Sequence, residues 1–109
     1  MEDDLRFVVP DLFWAEFGNV LWKAVRQGRI SADSAGEAVE ELKARRFPTV
    51  SSMSLVTAAF KIANNFGRSV YDGIYVALAI EADAVFMTAD ERLANALAAR
   101  LPVKWLGGW

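Results

Sequence analysis

Short β-prone runs alternate with longer segments of helical periodicity along this chain of 109 residues. The runs fall at residues 7–9, 47–50, 84–88 and 103–106. Strands separated by helices pair in parallel, because each crossover returns the chain to the same end of the sheet. The order of elements therefore predicts an α/β fold with a small parallel sheet.

Apolar residues at helical spacing predict helices over residues 11–26, 32–45, 69–82 and 90–100, and another between the serine-rich segment 51–54 and Gly67. Gly28 and Gly67 are placed to end helices, and Ser31 is placed to cap one. The sequence contains no evident linker, repeat or low-complexity segment. We expect one domain over residues 1–109.

Histidine and cysteine are both missing from the sequence. Their absence excludes Ser-His-Asp catalysis, thiolate catalysis and zinc sites built from these residues. Hydrolytic chemistry would therefore depend on carboxylates, most simply by holding an oxygen-loving ion such as Mg²⁺ or Mn²⁺. The lack of cysteine also fits a reducing compartment, and we expect a cytoplasmic protein.

The acidic start and the shortness of the apolar stretches argue against export and against a membrane span. The formal net charge of −2 provides no overall attraction for a polyanion, so an RNA-binding surface would be a local patch. Arginines 26, 29, 45 and 46 could form such a patch, although helix-dipole complementarity explains their positions equally well.

Four tryptophans, at positions 14, 22, 105 and 109, could stack nucleic-acid bases. Trp14 and Trp22 lie on a strongly apolar predicted helix. We therefore expect tryptophan packing in the core or in a dimer interface rather than base stacking.

Three carboxylates have positions that suit a ligand site in an α/β sheet. Asp90 follows a buried strand and starts the next helix, and Asp72 lies in the first turn of a helix. Each has a plain structural interpretation, as a helix cap for Asp90 and as a partner of the helix dipole for Asp72. Glu16 falls between the apolar and polar faces of its helix, where a solvated side chain is the simpler interpretation.

Three sequence motifs surround these carboxylates: VPDLFWAE at 9–16, SVYDGIYVALA at 69–79 and TADERL at 88–93. In this order they resemble the three later motifs of the PIN-domain ribonucleases found as toxins of the VapBC toxin-antitoxin type. The resemblance covers nearly the whole chain. It implies a PIN-like three-layer α/β/α fold.

By this resemblance Asp72, Asp90 and Glu16 match acidic positions that surround a divalent ion, Mg²⁺ or Mn²⁺. Ser69 and Thr88 match positions that support the site through hydrogen bonds. The implied activity is metal-dependent endoribonuclease cleavage, with RNA as substrate and an antitoxin protein as partner.

The family normally opens with a strand that ends in aspartate, followed by a helix, before the segment equivalent to residues 7–16. The resemblance therefore implies an N-terminally truncated PIN-like domain, or a sequence that starts inside a longer protein. Loss of that strand would remove a central carboxylate, so we expect impaired activity. It would also expose strand edges, so we expect a homodimer or higher homo-oligomer.

A second interpretation belongs to a different functional class. The chain would be a catalytically silent PIN-like remnant that serves oligomerisation or antitoxin binding, with an apolar groove that accepts an amphipathic helix. Metal-dependent cleavage of RNA separates the two interpretations.

Overall fold

The computed structural model describes residues 7–88 and 90–106, and their elements follow the predicted order. The chain divides into two compact units, Met1–Val50 and Ser51–Trp109. Among the described residues, none of the helices is both long enough and apolar enough to cross a bilayer. That the two units form one domain remains a prediction.

The first unit contains two strands and two helices: β1 (Val9–Pro10), α1 (Leu12–Arg26), α2 (Ala32–Lys43) and β2 (Thr49–Val50). The two strands are parallel, as predicted. The backbone N–H of Val9 donates to the carbonyl of Pro48, directly before β2, at 3.0 Å, and the N–H of Asp11 donates to the carbonyl of Val50 in β2 at 2.8 Å. The intervening Pro10 has no N–H, but its nitrogen faces away from β2, so proline breaks no bond of this pair.

The helices α1 and α2 form an antiparallel hairpin. An open groove of about 390 Å³ is lined by Trp14 and Phe17 from the first half of α1 and by Val39 and Lys43 from the second half of α2. The turn between the helices contains Gly28 at φ 74°, a conformation that glycine adopts without steric cost.

This hairpin separates the four arginines that could have formed one basic patch. Arg26 and Arg29 lie at the turn between the helices, whereas Arg45 and Arg46 follow the far end of α2. The α1 helix has 15 residues, which corresponds to roughly 22 Å. The hypothesis of one four-arginine patch is therefore wrong.

The second unit contains three helices and two strands: α3 (Ser52–Phe66), α4 (Val70–Glu81), β3 (Phe86–Thr88), α5 (Glu91–Leu97) and β4 (Val103–Trp105). The strands β3 and β4 pair in parallel, with Phe86 opposite Val103 and Thr88 opposite Trp105. The predicted α/β class with parallel pairing is confirmed. Within the described residues the strands form two separate pairs, β1–β2 and β3–β4.

Side chains from α4, α5 and β4 form the core of the second unit. Leu93, Leu97 and Val76 are almost completely buried there. Burial of each such side chain stabilises the fold by about 1.5–3 kcal/mol. This core fixes α4 and α5, the helices that carry Asp72 and Asp90 at their amino ends.

The helices α3 and α4 pack closely against each other. A Cβ atom built on Gly73 would lie 2.4 Å from the backbone oxygen of Ala59. Only glycine fits at this crossing without a shift of the backbone, and the facing residue Ala59 is fully buried. Asp72 thus precedes the point where two helix backbones are in contact.

Candidate functional site

Asp90 lies just beyond the carboxyl end of β3, where a parallel strand presents side chains to a ligand. Its Oδ1 atom accepts the backbone N–H of Leu93 at 3.1 Å, so Asp90 is the N-cap of α5. The structural interpretation of Asp90 is therefore correct. It does not exclude a ligand role, because a carboxylate has acceptor sites on two oxygens.

Thr88 is the last residue of β3 and is buried. Its Oγ1 atom accepts the backbone N–H of Asp90 at 3.0 Å. This bond fixes the backbone at the position from which the Asp90 side chain leaves the strand end. The role in supporting a metal site that the family resemblance implies for Thr88 remains a prediction.

Asp72 lies in the first turn of α4, as predicted. The cap of this helix is Ser69, whose hydroxyl accepts the backbone N–H of Asp72 at 3.1 Å. The hydroxyls of Ser69 and Thr88 act in the same way, because each accepts the backbone N–H of a candidate aspartate and thereby fixes the backbone of that aspartate.

The side chain of Asp72 faces a cation that sequence reasoning did not identify. The Nε atom of Arg68 lies 3.8 Å from Oδ2 of Asp72, with side chains 26% and 35% exposed. This Nε is buried and has no hydrogen-bond partner among the described residues. The sequence signal was the spacing of an arginine four residues before an aspartate, directly before a capping serine.

The packing of α4 on β3 orients the amino end of that helix. Residues 82–85 alone join α4 to β3, and Tyr75 stacks on Phe86 with ring centroids 5.0 Å apart. The helix therefore runs back along the strand. From Tyr75 to Asp72 it rises about 4.5 Å, comparable with the roughly 6.6 Å from Phe86 to Thr88. Asp72 thus lies toward the carboxyl end of β3, the end that Asp90 follows.

Glu16 belongs to the first unit and is exposed on α1. Its place on a solvated face agrees with the simpler interpretation of this residue. A ligand role for Glu16 remains a prediction from its motif.

A divalent cation is the ligand that these residues suit by chemistry, since their donors are carboxylate oxygens. However, residues 7–88 and 90–106 contain no group of three carboxylates that could hold a metal ion. Asp72 and Asp90 would supply two ligands at most, and water molecules would complete the shell. Mg²⁺ accepts such a partial protein shell, because it usually retains several waters.

The chain is also similar in sequence to known proteins. The model of the PIN domain matches residues 1–97, a segment that includes all three motifs. The chain belongs to the PIN-domain family. The resemblance that the motifs indicated is confirmed.

The relatives of this PIN domain include proteins named as ribonucleases. Ribonuclease VapC3 of Pyrobaculum aerophilum is 36% identical over 87 residues, which are 78% of this chain and 66% of that protein. Ribonuclease VapC1 of Mycobacterium tuberculosis is 36% identical over 90 residues, which are 80% of this chain and 65% of that protein. The chain thus spans slightly less than two thirds of the length of these relatives.

Proposed function

We propose that this PIN domain is a metal-dependent endoribonuclease of the toxin-antitoxin type, with Asp72 and Asp90 as its primary metal ligands. One observation supports the proposal. Asp90 follows the carboxyl end of the parallel strand β3, and Tyr75 of α4 stacks on Phe86 of that strand, which favours a position of Asp72 near the same end. The names of the VapC relatives support RNA as the substrate.

The two carboxylates explain why a cation is needed. An RNA phosphate that approaches Asp72 and Asp90 meets like charges, and the repulsion opposes its binding. A divalent ion, Mg²⁺ or Mn²⁺, would supply Lewis acidity for hydrolysis of the phosphodiester when bound. Glu16 is proposed as a further ligand, or as one that acts through water, on the strength of its motif alone.

The neighbouring residues keep the two carboxylates in place. The hydroxyls of Ser69 and Thr88 accept the backbone N–H groups of Asp72 and Asp90, and thereby fix the two backbones. Groups of this kind affect metal affinity strongly, because they restrict the orientation of the ligands. Arg68 places a positive charge beside Asp72 and would limit repulsion between the two carboxylates.

The test is cleavage of a structured RNA with Mg²⁺ or Mn²⁺, compared with the same reaction in chelator. We expect cleavage by the unaltered chain and at least a hundredfold loss in Asp72→Asn and Asp90→Asn. Arg45→Gln, which removes a charge at the far end of the α1–α2 hairpin, is the control. Cleavage that is indifferent to both aspartate substitutions would refute the assignment.

Metal binding has a second measurement that does not depend on activity. A ligand that binds only the folded state raises the melting temperature. We expect Mn²⁺ to raise it for the unaltered chain but not for the Asp72→Asn, Asp90→Asn double variant. An equal rise in both proteins would place the ion elsewhere.

A second candidate function is a catalytically silent PIN domain that serves oligomerisation or antitoxin binding. The lack of a three-carboxylate group in the described part of the chain favours it. The groove lined by Trp14, Phe17 and Val39 could accept the apolar face of an amphipathic helix from an antitoxin. Absence of cleavage and of any Mn²⁺ effect on melting, with the fold intact, would select this candidate.

A further inference from the structure

The outer face of α1 carries an aromatic side chain where packing was predicted. Trp22 is 54% exposed, although most residues of its helix α1 are apolar. Trp22 therefore does not pack in the core of this chain, and packing in a dimer interface, the other expected arrangement, remains a prediction. The reason for the exposure is its direction, since Trp22 lies about 160° around the helix from buried Ala24.

A cation covers one side of this exposed ring. The guanidinium carbon of Arg26 lies 5.1 Å from the centroid of the Trp22 ring. The pair is separated by four residues and thus stands on one face of α1. An aromatic ring held by an arginine presents a stacking surface with positive charge beside it.

The charge of the surrounding segment has a single sign. Between Glu16 and Asp33 the sequence contains Lys23, Arg26 and Arg29 and no acidic residue. Lys23, Arg26 and Arg29 are exposed, at or near the hairpin turn. In a chain with net charge −2, this segment is a local patch that suits a polyanion.

The patch lies on the same helix face as Glu16. At 100° per residue, Glu16, Lys23 and Arg26 fall within about 80° of one another, and Trp22 lies at the edge of the same exposed arc. The rise from Glu16 to Trp22 along the helix is about 9 Å. A nucleic-acid strand that passes Glu16 could therefore reach Trp22 and Arg26 without leaving α1.

From these observations we propose that single-stranded RNA binds along the outer face of α1, with a base stacked on Trp22 and phosphates near Lys23 and Arg26. Unpaired bases are the fitting partner, because aromatic and guanidinium planes stack on bases that are free of a duplex. The proposal deepens the ribonuclease function and rests on it for the choice of RNA.

The experiment measures RNA affinity without catalysis. The probe is a fluorescein-labelled single-stranded RNA of about twelve nucleotides, titrated by anisotropy in the presence of EDTA. We expect Trp22→Ala to weaken binding roughly tenfold and Trp22→Phe to retain most of the affinity, because phenylalanine also stacks. A duplex of the same length should bind more weakly than the single strand.

Matched controls separate stacking from general effects. Phe60→Ala removes another exposed aromatic ring, and Arg45→Gln removes a positive charge distant from the patch; both should leave the affinity within about twofold. Arg26→Gln should weaken binding and also reduce its salt dependence. An affinity unchanged by Trp22→Ala, or lowered equally by Phe60→Ala, would overturn the proposal.

Two further outcomes are decisive. If Trp22→Ala lowers the molar mass in light scattering without changing RNA affinity, a second copy of the chain covers this face and the proposal is wrong. If the Asp72→Asn and Asp90→Asn variants lose cleavage but bind the RNA probe with unaltered affinity, the RNA-binding surface is separate from the catalytic carboxylates. Failure of the ribonuclease function would appear as absent cleavage, whereas failure of this proposal would appear as unaltered affinity of Trp22→Ala.

Discussion

Asp90 is a helix cap whether or not it also binds a cation, because its Oδ1 atom accepts the backbone N–H of Leu93. The observed structural role and the proposed chemical role of this carboxylate are therefore compatible. They differ in what they require: a cap needs a short side chain with an acceptor oxygen, and a metal ligand of this type needs the negative charge.

Substitution of Asp90 can separate these roles. Asparagine caps a helix about as well as aspartate, whereas alanine does not. We expect Asp90→Asn to keep its free energy of unfolding within about 0.5 kcal/mol of the unaltered chain and to lose cleavage. Asp90→Ala should lose cleavage and also about 1 kcal/mol of stability in urea denaturation. Equal destabilisation by both substitutions would contradict the cap assignment.

Thr88 offers a second test of residue-level positioning. In Thr88→Val the buried hydroxyl is replaced by a methyl group, so the N–H of Asp90 loses its acceptor. We expect a loss of about 1–3 kcal/mol in the free energy of unfolding. Thr88→Ser keeps the hydroxyl and should retain the Mn²⁺-induced rise in melting temperature. Loss of that rise in Thr88→Ser would contradict the view that the hydroxyl of residue 88 is what keeps Asp90 in position for the ion.

At the scale of elements, the contact between α3 and α4 governs where Asp72 stands. The two helices approach so closely that a Cβ on Gly73 would overlap the backbone oxygen of Ala59. A rigid backbone atom cannot yield as a flexible side chain can. Any side chain at this position must move a whole helix.

Substitution of two glycines compares this crossing with open space. Gly73→Ala should destabilise the protein by about 1–3 kcal/mol in urea denaturation, because the helices must separate. Gly36→Ala in α2 meets no atom within 4 Å and should stabilise by about 0.5–1 kcal/mol, since alanine favours helices. If both changes stabilise, the helices are less close than described.

The elements themselves were predictable because their signals are local. Ser31, Ser51 and Ser69 each accept a backbone N–H near the start of a helix, and such caps are visible in sequence. Gly67 ends α3 in the left-handed conformation, as its position indicated. Separate pairing of β1–β2 and β3–β4 was not predictable, because pairing depends on contacts between residues distant in sequence.

The candidate site was predictable to a similar degree. The motifs located Asp72 and Asp90, and local chemistry located the caps beside them. The burial of the Arg68 Nε atom and the role of Gly73 depend on neighbours that periodicity does not identify. The exposure of Trp22 within the chain was not predictable for a related reason, since the sequence of an amphipathic helix does not reveal which part of its apolar surface contacts the rest of the chain.

At the scale of the whole molecule, charge bears on the proposed binding of RNA. The net charge of −2 opposes association with a polyanion, so the proposed binding would depend on the cations near the hairpin turn. Each phosphate neutralised on a single strand contributes about −0.7 to the slope of log affinity against log salt. The two proposed phosphate contacts, to Lys23 and Arg26, predict a slope of about −1.4.

This slope is measurable with the anisotropy probe at several salt concentrations. Arg26→Gln should make it shallower by about 0.7, and Trp22→Ala should leave it unchanged, because stacking releases few counterions. A slope of about −5 or steeper would mean that cations elsewhere bind the strand.

Self-association and a cytoplasmic location remain predictions at this scale. Self-association follows from the expected strand edges, and it is checked by light scattering across a range of protein concentrations. A constant monomer mass at all concentrations would contradict it.

The glycine at the α3–α4 crossing has a consequence for any mutational survey of this protein. Position 73 adjoins a candidate ligand and tolerates no side chain without displacing a helix. In a saturation library scored only by activity, substitutions at position 73 would therefore be tolerated as poorly as substitutions of a catalytic residue. An abundance measurement alongside the activity score would tell the two apart, since variants at position 73 would disappear from the soluble pool while asparagine at position 72 would accumulate.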